Sequence, residues 1–238
     1  MKPDASNLLP FLKGVPLFAD LNDATLQVLA RVSYLKQVPQ GAVLFSQDDP
    51  GEAAYLVRSG AISIVLSTTD GRELVINEMR TGDCFGELAL LTGQPHSASA
   101  IARAASQIVV IPHAEFLRDL SAEPTLMRQM LTTLARRLYA STERESALAF
   151  LDAPARLARV LSELDRADAA QGYVTISQEE ISQRIGITRQ TTAKILGQWR
   201  RAGWIITGRG KIVVLNRAAL RKRAQEIFAT ATQPNSIA

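Results

Sequence analysis

Thiols, imidazoles and long apolar runs are what this 238-residue chain has least of: one cysteine, Cys84, and two histidines, His96 and His113. A single thiol excludes an internal disulfide and fits a reducing cytoplasm. It also excludes a self-contained iron–sulfur or cysteine-rich zinc site, which needs several thiolates. Two imidazoles leave a metal or haem centre few ligands to draw on. No apolar stretch approaches the ~20 residues of a membrane-spanning helix. The N-terminus, MKPDASNLLPFLKG, lacks the apolar segment and cleavage signal of an export leader. No acid–base or metal cluster is evident, so an enzyme is not expected. At 47% hydrophobic, the chain still reads as a soluble globular protein of one large or two modest domains.

What is present is unevenly distributed. Residues 1–151 carry 13 Lys and Arg against 16 Asp and Glu, whereas residues 152–238 carry 14 against 7. The stretch 177–223 alone holds 11 basic and 2 acidic residues. A phosphate backbone would attract the second half and not the first. The bland alternative is a solvated basic surface.

The basic stretch coincides with a motif. Residues 177–202 read as two helices with a tight turn at Gly186, Ile181, Ile185 and Ile187 facing a core. Thr188 is placed to cap the second helix. That helix carries Thr188, Arg189, Gln190 and Lys194 near its start and leaves Ala193, Ile195, Leu196 and Trp199 to pack. Arg and Gln on a leading turn suit major-groove reading, because both make paired hydrogen bonds to base edges. Beyond it, Trp204–Thr207 and Lys211–Leu215 flank Gly208-Arg209-Gly210 as a hairpin, a wing whose Arg209 can reach a phosphate. A helix over about 154–170 with Asp152 as cap, a last helix over 217–229 and a loose tail after Thr230 complete this half.

The acidic half is different. Short apolar runs at Val43–Phe45, Tyr55–Val57, Ile62–Leu66, Leu74–Ile76 and Ile108–Ile111 alternate with turn signals. Those signals are Gln40-Gly41, Asp49-Pro50-Gly51, Ser59-Gly60, Asp70-Gly71 and Thr81-Gly82-Asp83. Ile62, Ile64 and Leu66 alternate with Ser63 and Ser67, the period of a half-buried strand. An antiparallel sandwich or barrel is expected. A helical pattern begins near His113, and between Pro124 and Pro154 there is neither Pro nor Gly. An unbroken helix there would be about 40 Å long. Met127, Leu131, Leu134, Leu138, Ser141, Glu145 and Leu148 form a heptad seam. That seam is expected to meet a second copy of the chain, the alternative being a helix laid across the β domain. Ser141 and Glu145 make its second half polar.

Between the strands and the long helix, Gly86-Glu87-Leu88 opens a short apolar helix, followed by Pro95-His96-Ser97-Ala98. Backbone amides beside a glycine suit an anion, and one carboxylate can accept from sugar hydroxyls. Read plainly, Glu87 could cap that helix, His96 could be an exposed loop residue and Cys84 a packed thiol.

Three segments, Phe85-Gly86-Glu87-Leu88-Ala89-Leu90, Phe150-Leu151-Asp152 and Ile187-Thr188-Arg189-Gln190-Thr191-Thr192-Ala193-Lys194, occur in the order and spacing of one family. From Pro16 to about Lys222 the chain resembles the catabolite-activator/FNR-type (CRP/FNR) bacterial transcription regulators. The resemblance implies an α+β fold in three parts. These are a cyclic-nucleotide-binding-like β-roll (an antiparallel double-stranded β-helix) over 1–121, a long dimerisation helix over 122–152 and a winged helix-turn-helix over 153–238. It implies a cytoplasmic homodimer on a palindromic double-stranded DNA operator, with RNA polymerase and a small-molecule effector as further partners and no membrane. FNR-type N-terminal cysteines are absent.

The effector contacts implied are Gly86, Glu87, Leu88, His96, Ser97, Ser141 and Thr142. Glu87 would accept the ribose hydroxyl and Gly86 line the phosphate, while Ser141-Thr142 supply the base-contacting hydroxyls. His96-Ser97 stands where the family has an arginine followed by Ser or Ala. Arginine is permanently charged and forks onto a phosphate; histidine is shorter and only partly protonated near neutrality. Three readings of the pocket therefore stay open: a cyclic nucleotide such as cyclic AMP, another ligand such as a cyclic dinucleotide or small metabolite, or a degenerate pocket. The DNA contacts expected are Thr188, Arg189, Gln190, Thr192, Lys194 and Arg209. Arg189 matches the family's guanine-reading arginine. Gln190 replaces a frequent glutamate and pairs best with adenine, unless it touches only phosphate.

Overall fold

The computed structural model describes residues 8–69 and 73–230, with side chains as far as Gln225. The turn expected at Asp70-Gly71 and the tail after Thr230 lie outside these residues. The chain divides into two compact units, Met1–Tyr139 and Ala140–Ala238.

The first unit opens with helix α1 (Leu9–Lys13), a 3-10 turn (Pro16–Phe18) and α2 (Asp23–Val32), which Asn22 caps by accepting from the Thr25 N–H at 2.9 Å. Strands β1 (Tyr34–Val38), β2 (Val43–Phe45), β3 (Ala53–Ser59), β4 (Ile62–Ser67), β5 (Glu73–Met79) and β6 (Cys84–Phe85) follow. A short helix α3 (Glu87–Thr92) interrupts them before β7 (Ser99–Ala102) and β8 (Ser106–Pro112). They form two antiparallel four-stranded sheets, ordered β1-β8-β3-β6 and β2-β7-β4-β5.

Strand β3 shows why the sheets stack. Ala54 and Leu56 enter the core shared with the helices, whereas Ala53, Tyr55 and Val57 enter the core that also holds Phe45, Ile62, Met79, Phe85, Ala100 and Ala102. Period-two alternation here separates two buried faces, not core from water. The simple alternation expected for Ile62–Ser67 does not hold. Ser63 is buried and Leu66 half-exposed, and in the ladder with β5 an extra residue, Ile76, stands opposite the Ile64–Val65 step. That extra residue bears on the facing of β5, while β4 keeps a regular register with β7.

Helix α4 (His113–Ala122) ends at Glu123, and α5 runs unbroken over Pro124–Phe150. Leu126 and Met130 of α5 are buried, and Leu134 packs against the same core, which α1, α2 and α4 also line. The expected seam is therefore split: Leu134 is taken by this core, whereas Met127 is 38% exposed, Leu131 60%, Leu138 69% and Leu148 43%. Ser141 donates to Glu145 at 3.2 Å within the polar part of the seam.

The second unit begins inside α5. After Leu151, Asp152 caps α6 (Ala153–Ala167) through the Ala155 N–H at 2.9 Å. Then come β9 (Val174–Thr175), α7 (Gln178–Ile185), α8 (Arg189–Arg201), the hairpin β10 (Ile205–Gly208)–β11 (Lys211–Val214) and α9 (Arg217–Thr230). The sheet order is β10-β11-β9. Leu157, Leu161, Ile181, Ile185, Ile195, Leu196, Trp199, Ile212 and Leu220 form its core, with Trp199 and Trp204 at 5.8 Å. Arg217 forks onto Asp165 at 2.6 and 3.0 Å, tying α9 to α6.

Candidate functional sites

In the second unit the local sequence builds the motif almost alone. Ser177 accepts from the Glu180 N–H at 3.1 Å, and Glu180 accepts from the Ser177 N–H at 2.8 Å. This reciprocal pair satisfies two donors at the start of α7. Gly186 ends α7 at φ +66°, a left-handed conformation that glycine adopts without a Cβ penalty. Two residues on, Thr188 caps α8 by accepting from the Thr191 N–H at 3.2 Å. Arg156, reaching across from α6, donates to the Ile185 carbonyl at 3.0 Å and the Leu151 carbonyl at 2.8 Å.

Helix α8 then sorts its side chains by the 3.6-residue period. Ile195, Leu196 and Trp199 are buried, and Arg189, Gln190, Ala193 and Lys194 are exposed together. Two expectations are corrected. Ala193 was expected to pack and is exposed. Thr192 was expected on the DNA face and has 0% exposure, its hydroxyl donating to the Thr188 carbonyl at 3.3 Å. Position 192 is three residues before Ile195 and four before Leu196, so the helix period turns it inward with them. Arg209 stands exposed at the hairpin tip, beside Gly210 at φ +68°. Lys211, beside the tip of the wing, lies 4.2 Å above the Tyr173 ring.

The site in the first unit is assembled from distant segments. Gly86 has φ +79°, and a Cβ there would lie 2.7 Å from Tyr55 Cδ2, so close approach to β3 requires glycine. Glu87 begins α3 and is 1% exposed. Its Oε1 accepts from Arg137 of α5 at 2.6 Å, and the same guanidinium donates to the Cys84 carbonyl. Burial pushes the Glu87 carboxyl up, while Arg137 and the residue's own backbone N–H pull it down. Oε2 has no hydrogen-bond partner among the described residues. Glu87 is thus an ion-paired carboxylate with one oxygen unfilled, and its role as the cap of α3 falls to Gly86. Burial also pushes the Cys84 thiol well up, with Glu87 adding to it, and leaves Cys84 a packed thiol.

Arg137 escaped the sequence reading. It stands one helical turn before Ser141 on the same face of α5, a signal that could have found it. His96 is not an exposed loop residue. It is 5% exposed, and its ring stacks on Phe45 with centroids 3.7 Å apart and planes 10° apart. Phe45 continues to Tyr55 at 5.3 Å and Phe85 at 6.1 Å, so an aromatic cluster runs from His96 to the residue before Gly86. Burial pushes the imidazole pKa below its ordinary value, against the opposing charge of Asp49. Leu88 and Ser97 are exposed. Ser141 is half-buried and Thr142 exposed, both in the part of α5 that belongs to the second unit.

A β-roll followed by a basic winged helix-turn-helix defines a class, the sensor-linked DNA-binding regulators. Comparison supports this at both ends. Residues 35–122 match the cyclic nucleotide-binding domain family and residues 155–223 the Crp-like helix-turn-helix domain. The chain is 27% identical over 199 residues to the cAMP-activated global transcriptional regulator CRP of Salmonella typhimurium, covering 81% of this chain and 94% of that one. It is 27% identical over 215 residues to the CRP-like cAMP-activated global transcriptional regulator of Mycobacterium tuberculosis, covering 88% and 96%. The solved structure of CLP, a c-di-GMP responsive global regulator of Xanthomonas campestris, superposes with a TM-score of 0.74 at 25% identity, covering 81% of this chain and 99% of that one. The chain belongs to the CRP/FNR family of DNA-binding transcription regulators, whose members are not enzymes. No helix among the described residues is long and apolar enough to cross a membrane.

Proposed function

We propose that the protein is a homodimeric, effector-controlled transcription regulator. Two copies pair along the exposed seam of α5 and present two α8 helices to a palindromic operator, whose major grooves recur every ~34 Å. Arg189 reads guanine, Gln190 reads adenine, Lys194 adds a second basic contact and Arg209 holds a phosphate. A small effector, a cyclic nucleotide in the first instance, enters at Gly86, Glu87, His96 and Ser97 of the first unit. Binding there biases how the two long helices pack, and so the spacing of the recognition helices.

The observation that carries the effector reading is the buried Glu87 with Oε2 unfilled. A buried carboxylate oxygen without a donor is costly, and a ligand hydroxyl would relieve it. A second reading, a pocket that takes no ligand, is favoured by Arg137, which already supplies a counter-charge at 2.6 Å. Calorimetric titration of nucleotide-free protein with cyclic AMP, cyclic GMP and cyclic di-GMP separates the two. Micromolar binding of one of them, lost in Glu87→Ala, supports the sensor; no heat from any of the three favours the ligand-free pocket.

A further inference from the structure

His96 is held with unusual completeness for a loop residue. Its N–H donates to the Asp49 carbonyl at 2.8 Å, its carbonyl accepts from the Asp48 N–H at 2.8 Å, and Phe45 covers one ring face. Yet Nε2 is buried and has no hydrogen-bond partner among the described residues. The ring is positioned, but its polar edge is unused.

The charge around it is equally specific. The group that acts on the imidazole from outside its own loop is the Asp49 carboxylate, between β2 and β3. That carboxylate already accepts the Ser46 N–H at 2.7 Å through Oδ2. Phe45, Tyr55 and Phe85 bring no counter-charge, and the Arg137 cation is engaged with Glu87 and the Cys84 carbonyl. An imidazolium here would be stacked, buried and under-compensated until an anion arrives.

Resting on the effector reading above, we propose that His96 makes binding proton-linked: the site takes a cyclic phosphodiester together with one proton from solvent. The proton enters the ring as the ligand docks, and the imidazolium pairs with the phosphodiester monoanion. Apart from the N–H bond that this proton makes, no covalent bond forms or breaks. The loop thereby recognises an anion only when the proton accompanies it, whereas an arginine at this position would recognise it at any pH. The lowered pKa of the free imidazole is consistent with this, since the ring is neutral near pH 7 before the ligand arrives.

The test is calorimetry with cyclic AMP, cyclic GMP and cyclic di-GMP between pH 6 and 8, in buffers of different ionisation enthalpy. Wild-type protein should take up about one proton per ligand above neutrality and lose affinity about tenfold per pH unit there. His96→Gln should bind weakly with no pH slope, and His96→Arg should bind tightly with none. Proton uptake is read on the wild type, so a variant that folds poorly does not obscure it. Wild-type binding without proton uptake overturns the proposal. If only His96→Arg binds, proton linkage is wrong while the nucleotide pocket stands. If neither protein binds any of the three probes, both readings fall.

Discussion

The two units of this protein put their functional residues together in opposite ways. In the helix-turn-helix, each decisive contact spans a few residues: Ser177 with Glu180, Thr188 with Thr191 and Thr192. In the β-roll, Glu87 meets Arg137 50 positions on, and His96 stacks on Phe45 from across a sheet edge. The first kind of site needs only helical periodicity and caps. The second exists only once two sheets and a helix have packed, so its charges are buried and its failures should be global.

The largest expected effect tests that difference. Arg137→Ala leaves the Glu87 carboxylate buried without its cation and should cost about 3–5 kcal/mol in urea unfolding of the first unit. A comparable loss from any exposed α8 substitution would erase the contrast. Next in size is the seam. Leu131→Asp should dissociate the proposed dimer in sedimentation, because burying a leucine contributes about 1.5–3 kcal/mol on each protomer; a dimer unchanged by it would place the interface elsewhere.

On the DNA side, Arg189→Ala should abolish specific binding, and Gln190→Glu should shift preference at one base pair by about 1–3 kcal/mol in a binding selection. Unaltered specificity in Gln190→Glu would sink its base contact. A smaller effect is expected at the cap, where Ser177→Ala should destabilise the second unit by about 1 kcal/mol.

The smallest effect concerns pH. The folded pKa of His96 is lowered, so its contribution to stability is full above the ordinary value of 6.5 and is lost as the pH falls below it. Thermal unfolding of the ligand-free protein from pH 7.5 to 5 should show a loss that His96→Gln does not share.

Particular residues show where sequence reasoning stopped. The cap at Thr188, the turn at Gly186 and the hairpin around Arg209 were legible, because turn chemistry and period 3.6 are local. Thr192 and Ala193 were misplaced on the same helix. A threonine in a DNA-reading segment looks like a contact, and an alanine looks like core, until the helix phase set by Ile195, Leu196 and Trp199 fixes which of them faces inward. The irregular pairing of β4 with β5 was invisible, since neither strand's sequence carries a sign of the unpaired Ile76. Arg137 read as one more surface arginine on a long helix.

By itself the sequence determined the division of charge, the long glycine-free helix and the capped two-helix motif, because each depends on neighbours along the chain. Only the tertiary structure decided that Glu87 is neutralised from α5, that His96 is a buried, stacked imidazole and that Thr192 is lost to the core. Those outcomes depend on desolvation, and desolvation is a property of what the fold brings around a residue.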